Sequence, residues 1–507
     1  MTSRFFPHLA AVALFAAALG TAATAAGPTF WTVATAADFL KGTSDGVYVS
    51  LTGVITAGPQ LTSRMTTTPA QIWSLVGSPD GTLWAGTGGD GRVIRLRTGQ
   101  PETTVFDAEE NNVFALAISG TRIYAATGPD GKVYVIDGDS PPRMFFDPDE
   151  KYIWALAVDT AGRLWVGAGN PAVIYRVDPT GASRVIYKPP AGHVVTLARD
   201  GSGRILAGTE SPGRIYRFDA DDKPFVLLDS GLSELVAMSV DATGVIFAAG
   251  VAKGDDAPSG GDPASLAATV ATPAPAGATA SASTSTAPAR RSLLFRIETN
   301  GTWEEIWSTG DLIYDVAAQN DGRVLVATGP DGRLYQLDAN RDVFLLTGVD
   351  AKQITRFVVN RTGALAAFGT ANPGRVMTVG PGEQSPATFV SPVRDTKNVA
   401  TWGLIRWDAT APVAMYTRSG NTEKPDDSWS PWAGPFTNKE GDLVTSPAAR
   451  FIQWRAALTR PQAPPSAQLT SVTLAYLPRN NRPVVSAITV SPPGVVFQRP
   501  YASDDSA

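Results

Sequence analysis

The 507-residue chain has no cysteine and only two histidines. The first absence removes disulfides, thiolate metal ligands and cysteine nucleophiles in one step. The second leaves little from which to build a histidine centre. His8 falls in an N-terminal leader, so His193 stands alone in the rest of the chain. A His-rich metal centre is thereby excluded, and a Ser-His-Asp triad would have to use His193. Positive charge is no more plentiful: 42 Lys and Arg face 47 Asp and Glu, for a formal net charge of -5 and a pI near 5.3. That balance gives no basic footprint, and nucleic acid is not an expected partner. Long apolar runs are missing as well. The stretch Leu9 to Leu19 falls short of the roughly 20 residues a membrane-spanning helix needs, and no comparable run follows it.

What the leader does have is the layout of an export signal. Arg4 supplies a positive start, Leu9 to Leu19 an apolar run, and Ala23-Thr24-Ala25 a small-x-small cleavage site. Residues 1–25 are therefore expected to be a signal peptide. With the missing cysteine and the Ala-rich composition, this predicts a bacterial periplasmic or extracellular protein with no transmembrane segment after signal removal. A chain this long can dispense with disulfides because a large core supplies stability.

The remainder is dominated by a repeat. Ala126-Thr127-Gly128-Pro129-Asp130-Gly131-Lys132-Val133-Tyr134 returns as Ala327-Thr328-Gly329-Pro330-Asp331-Gly332-Arg333-Leu334-Tyr335. Upstream of each copy lies a short apolar strand: Ile72-Trp73-Ser74-Leu75, Val113-Phe114-Ala115-Leu116, Ile153-Trp154-Ala155-Leu156, Val194-Val195-Thr196-Leu197, Leu235-Val236-Ala237-Met238, Ile313-Tyr314-Asp315-Val316 and Ile354-Thr355-Arg356-Phe357. Their starts step by 41, 40, 41, 41, 78 and 41 residues. Seven copies of this length, each resolving into four short strands joined by Asp-Gly turns, describe an array of propeller blades. Asp-Gly suits tight hairpins because Gly tolerates positive φ and Asp can bond its own backbone.

The blade motif, a Gly-Thr-Gly or Ala-Thr-Gly strand end followed by runs such as Val173-Ile174-Tyr175-Arg176-Val177-Asp178, resembles the secreted bacterial seven-bladed propellers grouped with WD40-like and two-component-regulator repeats. Its copies do not repeat the Gly-His and Trp-Asp dipeptides of eukaryotic WD40 proteins. The resemblance implies an all-β fold, a seven-bladed β-propeller over residues 26–386, and leaves chemistry open, because such propellers serve binding, scaffolding and catalysis alike. The 78-residue step marks an insertion at 252–290, rich in Ala, Pro, Ser and Thr and expected to be disordered. It falls between the second and third strands of blade five, on the face carrying the inner-strand starts, where it is either a tolerated surface insertion, since long loops cost little extra closure entropy, or a partial cover of the mouth. Residues 387–478 change character: five tryptophans and alternating runs such as Phe451-Ile452-Gln453-Trp454-Arg455-Ala456 read as a β-sandwich, similar to jelly-roll-like sandwiches that follow propellers in exported bacterial proteins. Residues 479–507 read as a tail or the start of a further β-segment. The hairpin Val47–Thr56, outside the repeat, is expected to complete the seventh blade, because an open ring leaves edge strands exposed.

Candidate functional residues follow from the repeat register. Gln71, Asn112, Tyr152, His193, Glu234 and Gln353 precede the inner strands and should ring one mouth of the channel. They are either a ligand-binding ring or polar groups solvating strand ends. Acidic loops on the same face (Glu109, Glu110, Asp149, Glu150) could hold Ca²⁺, which needs six to eight oxygens, but they lack EF-hand spacing and a solvated rim accounts for them; no cofactor is expected. Trp73, Trp84, Trp154 and Trp165 recur at fixed positions and are expected in the core. Trp429 and Trp432 flank Ser430-Pro431 and are candidates for sugar stacking or a packed corner. These features favour a non-enzymatic exported binding or scaffold protein with a protein or polysaccharide partner. The alternative is a channel-mouth hydrolase or lyase using carboxylates, Tyr152 and His193.

Overall fold

The computed structural model describes residues 27–252, 292–360, 363–459 and 466–479. The expected signal peptide, all but the first residue of the insertion and all but the first of the tail lie outside the described residues. The fold is all-β, with one short helix, Ala36–Phe39, among the described residues.

The first repeat forms the strands Gln71–Gly77, Leu83–Gly88, Arg92–Leu96 and Thr103–Asp107, each antiparallel to the next. Five further four-stranded meanders follow the same plan, and a seventh unit contributes three consecutive strands. Their innermost strands are Asn112–Ser119, Tyr152–Val158, His193–Arg199, Glu234–Val240, Leu312–Ala318 and Gln353–Val359. These inner strands pack side by side in chain order, and the last returns to the first. Backbone bridges tie adjoining units at the same level, Asn112 to Gly88, His193 to Gly169, Glu234 to Glu210 and, across the closure, Gln71 to Ala371.

Sequence explains the layering. The second strand of each unit is sandwiched on both faces, so it must be small or apolar throughout. Leu83–Gly88, Leu164–Gly169, Ile246–Val251 and Val324–Gly329 are buried at every position. The Asp turns cap the hairpins as expected. Asp159 accepts backbone hydrogen bonds from Ala161 and Arg163 at 2.9 Å, and Asp200 does the same for Ser202 and Arg204. The insertion site lies where Val251 pairs with Ser292, between the second and third strands of the fifth unit.

The N-terminal segment departs from expectation twice. Ring closure is made by Pro59–Ser63, which pairs with Val376–Glu383 through Thr62–Thr378 and Leu61–Val379. The hairpin Val47–Ala57 does not close the ring. Val49 sits opposite Leu345 on the outer strand of the sixth unit, and Ile55 opposite Leu469 of the C-terminal β-layers. Both side chains are fully buried, so the more apolar hairpin is spent on the junction, where it excludes more water, and the polar strand suffices at a half-exposed edge.

Residues 29–45 also leave the repeat. Thr29–Val33 adds to Leu469–Pro478, and Thr43–Asp45 adds to Ala387–Val390. The C-terminal strands thus form two layers, each with an N-terminal edge strand. One joins Thr43–Asp45, Ala387–Val390, Ala449–Leu458 and Ala414–Gly420; the other joins Thr29–Val33, Leu469–Pro478 and Arg394–Ala409, and the start of Arg394–Ala409 links the two by pairing with Ala449–Leu458. Trp454 is fully buried between them, with ring centroids 5.4 Å from Phe389 and 6.5 Å from Trp31, while Phe39 meets Phe389 edge-on at 5.5 Å. Burying a side chain of this size is worth roughly 1.5–3 kcal/mol. Residues 387–479 expressed alone should therefore stay unfolded and regain near-ultraviolet circular dichroism when a peptide of residues 27–58 is added. Cooperative melting of the isolated fragment would contradict this assignment.

Candidate functional site

The third residue of every innermost strand sits in a β-bulge. In all seven units the register slips around that position, between Ile72 and Ser74, Val113 and Ala115, Ile153 and Ala155, Val194 and Thr196, Leu235 and Ala237, Ile313 and Asp315, and Ile354 and Arg356. A bulge leaves one residue unpaired and re-aims its side chain. The preceding residue stays in the core: Ile72, Val113, Ile153, Val194, Leu235 and Ile354 are wholly buried. The bulged residues instead face the channel.

The result is a cup of about 160 Å³ at the channel mouth, lined by Trp73, Phe114, Trp154, Val195, Val236, Tyr314 and Thr355, with Glu234, Leu312 and Arg356 beside them. Trp73 and Trp154 are thus not core residues, in contrast to expectation. Trp84 and Trp165, one strand outward, are: they are buried between units, with their indole N–H groups bonded to Ser78 and Asp159. A period-2 reading puts both kinds of tryptophan inside, because alternation alone cannot reveal a bulge.

The expected rim residues are distributed unevenly. Glu234 lines the cup. Tyr152, His193 and Gln353 are largely buried beside it, 7 to 8% exposed. Tyr152, Trp154 and His193 converge: Tyr152 stacks on Trp154 at 5.2 Å, and His193 meets Trp154 edge-on at 5.9 Å. The Trp154 indole Nε1–H donates to His193 Nδ1 at 3.0 Å, and one unit on from the first, Trp73 Nε1–H donates to Asn112 at 3.3 Å. An indole can only donate, so this contact requires an unprotonated Nδ1 and places the proton of a neutral His193 on Nε2. Gln353 accepts from Asn372 at 3.0 Å. These rim groups brace the aromatic cup from behind, while Gln71 and Asn112 stay half-buried at its edge.

Glycine makes the cup possible. A methyl group on Gly88 would lie 2.2 Å from the Trp73 ring; on Gly128, 2.4 Å from Phe114; on Gly169, 2.0 Å from His193 and 2.9 Å from Trp154; on Gly329, 3.0 Å from Tyr314. In the three units whose bulged residue is Val195, Val236 or Thr355, the corresponding residue is Glu210, Val251 or Ala371. Large bulged rings and terminal glycines go together.

Deeper in the channel, the next position is small in most units (Ser74, Ala115, Ala155, Thr196, Ala237) but charged in the last two, Asp315 and Arg356. Asp315 accepts from the Phe357 N–H at 2.7 Å and the Val316 N–H at 3.0 Å; Arg356 donates to the Tyr314 carbonyl at 2.9 Å. The pair cross-links the sixth and seventh units beside the closure. Asp315 keeps some surface toward the narrow inner cavity, yet protein surrounds it. This removal from bulk water pushes its carboxyl up, against the opposing pull of Arg356 and the two N–H groups.

The acidic loops are engaged locally. Glu110 pairs with Lys132 at 2.8 Å, and Glu150 accepts from the Tyr175 hydroxyl at 2.8 Å. Burial, followed by that hydrogen bond and the Glu150 charge, drives the Tyr175 hydroxyl well above the usual phenol range. Among the described residues no group of three or more His, Asp or Glu side chains is placed to hold a metal ion. No helix among them is long and apolar enough to cross a membrane. In the C-terminal layers Trp429 is buried, its indole N–H bonded to Thr422 at 2.8 Å, whereas Trp432 is half-exposed and covered by Arg418 and Arg455.

No protein-family profile matches the chain, and no curated protein matches it in sequence. Solved structures do. A streptogramin B lyase aligns with a TM-score of 0.50 at 10% identity, over 64% of this chain and 98% of the lyase. The extracellular domain of the two component system BT4673 from B. thetaiotaomicron reaches 0.46 at 13% identity, over 69% and 43% of the two chains. The WD40 propeller of Doa1 reaches 0.46 at 11%, over 64% and 98%. The fold is a β-propeller. At such identities the likeness is one of fold and carries no chemistry.

Because the Asp315 carboxyl is pushed up, the folded state holds its proton to higher pH than the unfolded chain does. Between the unfolded value of about 4 and the raised folded value, stability should fall as pH rises, since the folded state binds more protons there. Melting of wild type against Asp315→Asn across that window should show this slope flattened in the variant. An unchanged slope would place the titration elsewhere.

Proposed function

We propose that the chain is an exported binding protein whose propeller face engages a protein partner, with an apolar side chain of that partner anchored in the aromatic cup. The single observation behind this reading is the lining itself: four half-buried aromatic rings and five aliphatic residues, with Glu234, Thr355 and Arg356 beside them. Such concave, largely apolar sites with a few directional groups suit recognition. Buried aromatic and Arg anchors of this kind dominate binding energy at protein interfaces. The export part rests on the leader sequence, and the seven-bladed ring on the strand pairings.

The hydrolase or lyase reading is less well supported. It needs at least three polar side chains converging on one reacting atom. His193, the histidine available to it, already uses Nδ1 to accept from Trp154, so acting as a base there would mean breaking a bond that holds the cup. A polysaccharide partner remains the alternative occupant of the same cup, since aromatic faces also stack on sugar rings.

Immobilised full-length protein should capture a discrete partner from native envelope extract. Trp154→Ala should weaken that capture by roughly 2 kcal/mol, about thirtyfold, and Trp84→Phe should leave it unchanged. Equal loss in both variants would show that folding alone had failed. Saturable quenching of tryptophan fluorescence by soluble oligosaccharides, without protein capture, would assign the cup to a polysaccharide.

A further inference from the structure

The outer face of the C-terminal layers carries two arginines, Arg418 and Arg455, that have no ion pair among the described residues. Strands Ala414–Gly420 and Ala449–Leu458 pair with Tyr416 opposite Arg455 and Arg418 opposite Gln453. Met415, Thr417, Ile452, Trp454 and Ala456 turn inward and are buried, which sends Tyr416, Arg418 and Arg455 outward. Arg418 lies over the Trp432 ring at 4.5 Å, Arg455 over the same ring at 4.8 Å and over Tyr416 at 4.4 Å. Two like charges are thereby held against one indole.

Each guanidinium is fixed rather than floating. Arg418 donates through Nε and Nη2 to Gln453 Oε1 at 3.1 and 2.8 Å, and the Gln453 side chain is itself locked by donating through Nε2 to the Ser391 backbone carbonyl at 2.9 Å. Arg455 Nε is enclosed without a hydrogen-bond partner. Among the described residues neither arginine has an ion pair, whereas nearby Arg450 grips Asp395 with two bonds of 2.9 Å. Burial, then the Arg455 charge, holds the Arg418 guanidinium below the usual arginine range. In a chain of net charge -5 this is a preorganised pair of cations without an ion-pair partner among the described residues.

We propose that Arg418 and Arg455, held against Trp432, form an oxyanion site for the carboxylate of an acidic saccharide, a uronate. An oxyanion supplies the missing negative charge, and guanidinium forks match carboxylates geometrically. Tyr416, half-exposed beside Arg455, offers aromatic surface on which the C–H face of a pyranose ring can pack. The site is independent of the propeller cup. It assigns the C-terminal layers to tethering on an acidic glycan while the propeller takes its own partner.

Calorimetric titration of the full chain would use four hexameric probes: a galacturonate, a neutral glucan, a sulfated glucan and an oligoglutamate peptide. The galacturonate should bind, weaken with added salt, and lose roughly tenfold in affinity with either Arg418→Gln or Arg455→Gln, a loss equal to one charge-assisted hydrogen bond. The Trp154→Ala variant should bind it unchanged, which separates this site from the cup. The melting temperature of Arg455→Gln should match wild type, since a repulsion is removed along with the ring contacts. Equal binding of the neutral glucan, tighter binding of the sulfated glucan or the peptide, or unchanged affinity in the arginine variants would overturn the proposal. So would lost binding accompanied by a lowered melting temperature, which would make the arginines packing residues.

Discussion

One backbone irregularity, repeated seven times, sets the character of the channel. The bulge at the third residue of each inner strand frees one side chain per unit from the alternation that would otherwise bury it. Without it Trp73, Phe114, Trp154 and Tyr314 would compete with Ile72, Val113, Ile153 and Ile313 for the space between units. With it, the aliphatic residues fill the core and the rings meet at the mouth. The glycines ending the second strands are the counterpart of this arrangement, because a methyl group there would strike the rings they back onto.

Ring closure and domain attachment are coupled through the N-terminal segment. Between Thr29 and Ser63 it supplies an edge strand to each C-terminal layer, a hairpin at the junction and the outer strand of the seventh unit. Residues 27–58 therefore pair mainly with the C-terminal strands, and the segment that closes the propeller ring begins at Pro59. This arrangement hides strand edges that would otherwise be open to other chains. It also means that propeller and C-terminal layers are not separable by one cut near residue 387.

Much of the propeller was legible from period and turn chemistry. The four-strand pattern and the Asp turns follow from repeated residues, and the place of the insertion follows from one lengthened step. The closing strand was not legible because Pro59-Gln60-Leu61-Thr62-Ser63 shows little apolar alternation, while the hairpin at Val47 shows a good deal. Its strand signal was real, but a local pattern cannot say which edge a strand will join. For the site, the repeat register singled out the residues that open the inner strands, yet the residue two places on forms the lining. A signal was present: Gly88, Gly128, Gly169 and Gly329 occur in the repeats with a ring at the bulged position, and Glu210, Val251 and Ala371 in those without. The opposite charges Asp315 and Arg356, at one register in adjacent repeats, were equally visible in the aligned strands. Trp429 and Trp432 look alike in sequence, and only packing separates a buried corner from a ring that holds two arginines.

The central claim, that bulges deliver Trp73 and Trp154 to a solvent-filled cup while Trp84 and Trp165 stay between units, is open to direct measurement. Fluorine NMR of 5-fluorotryptophan-labelled protein, assigned by single Trp→Phe replacements, reports solvent contact through the H₂O-to-D₂O isotope shift. The Trp73 and Trp154 resonances should show that shift, and those of Trp84 and Trp165 should not. Equal protection of all four would contradict the bulged channel and the cup built on it.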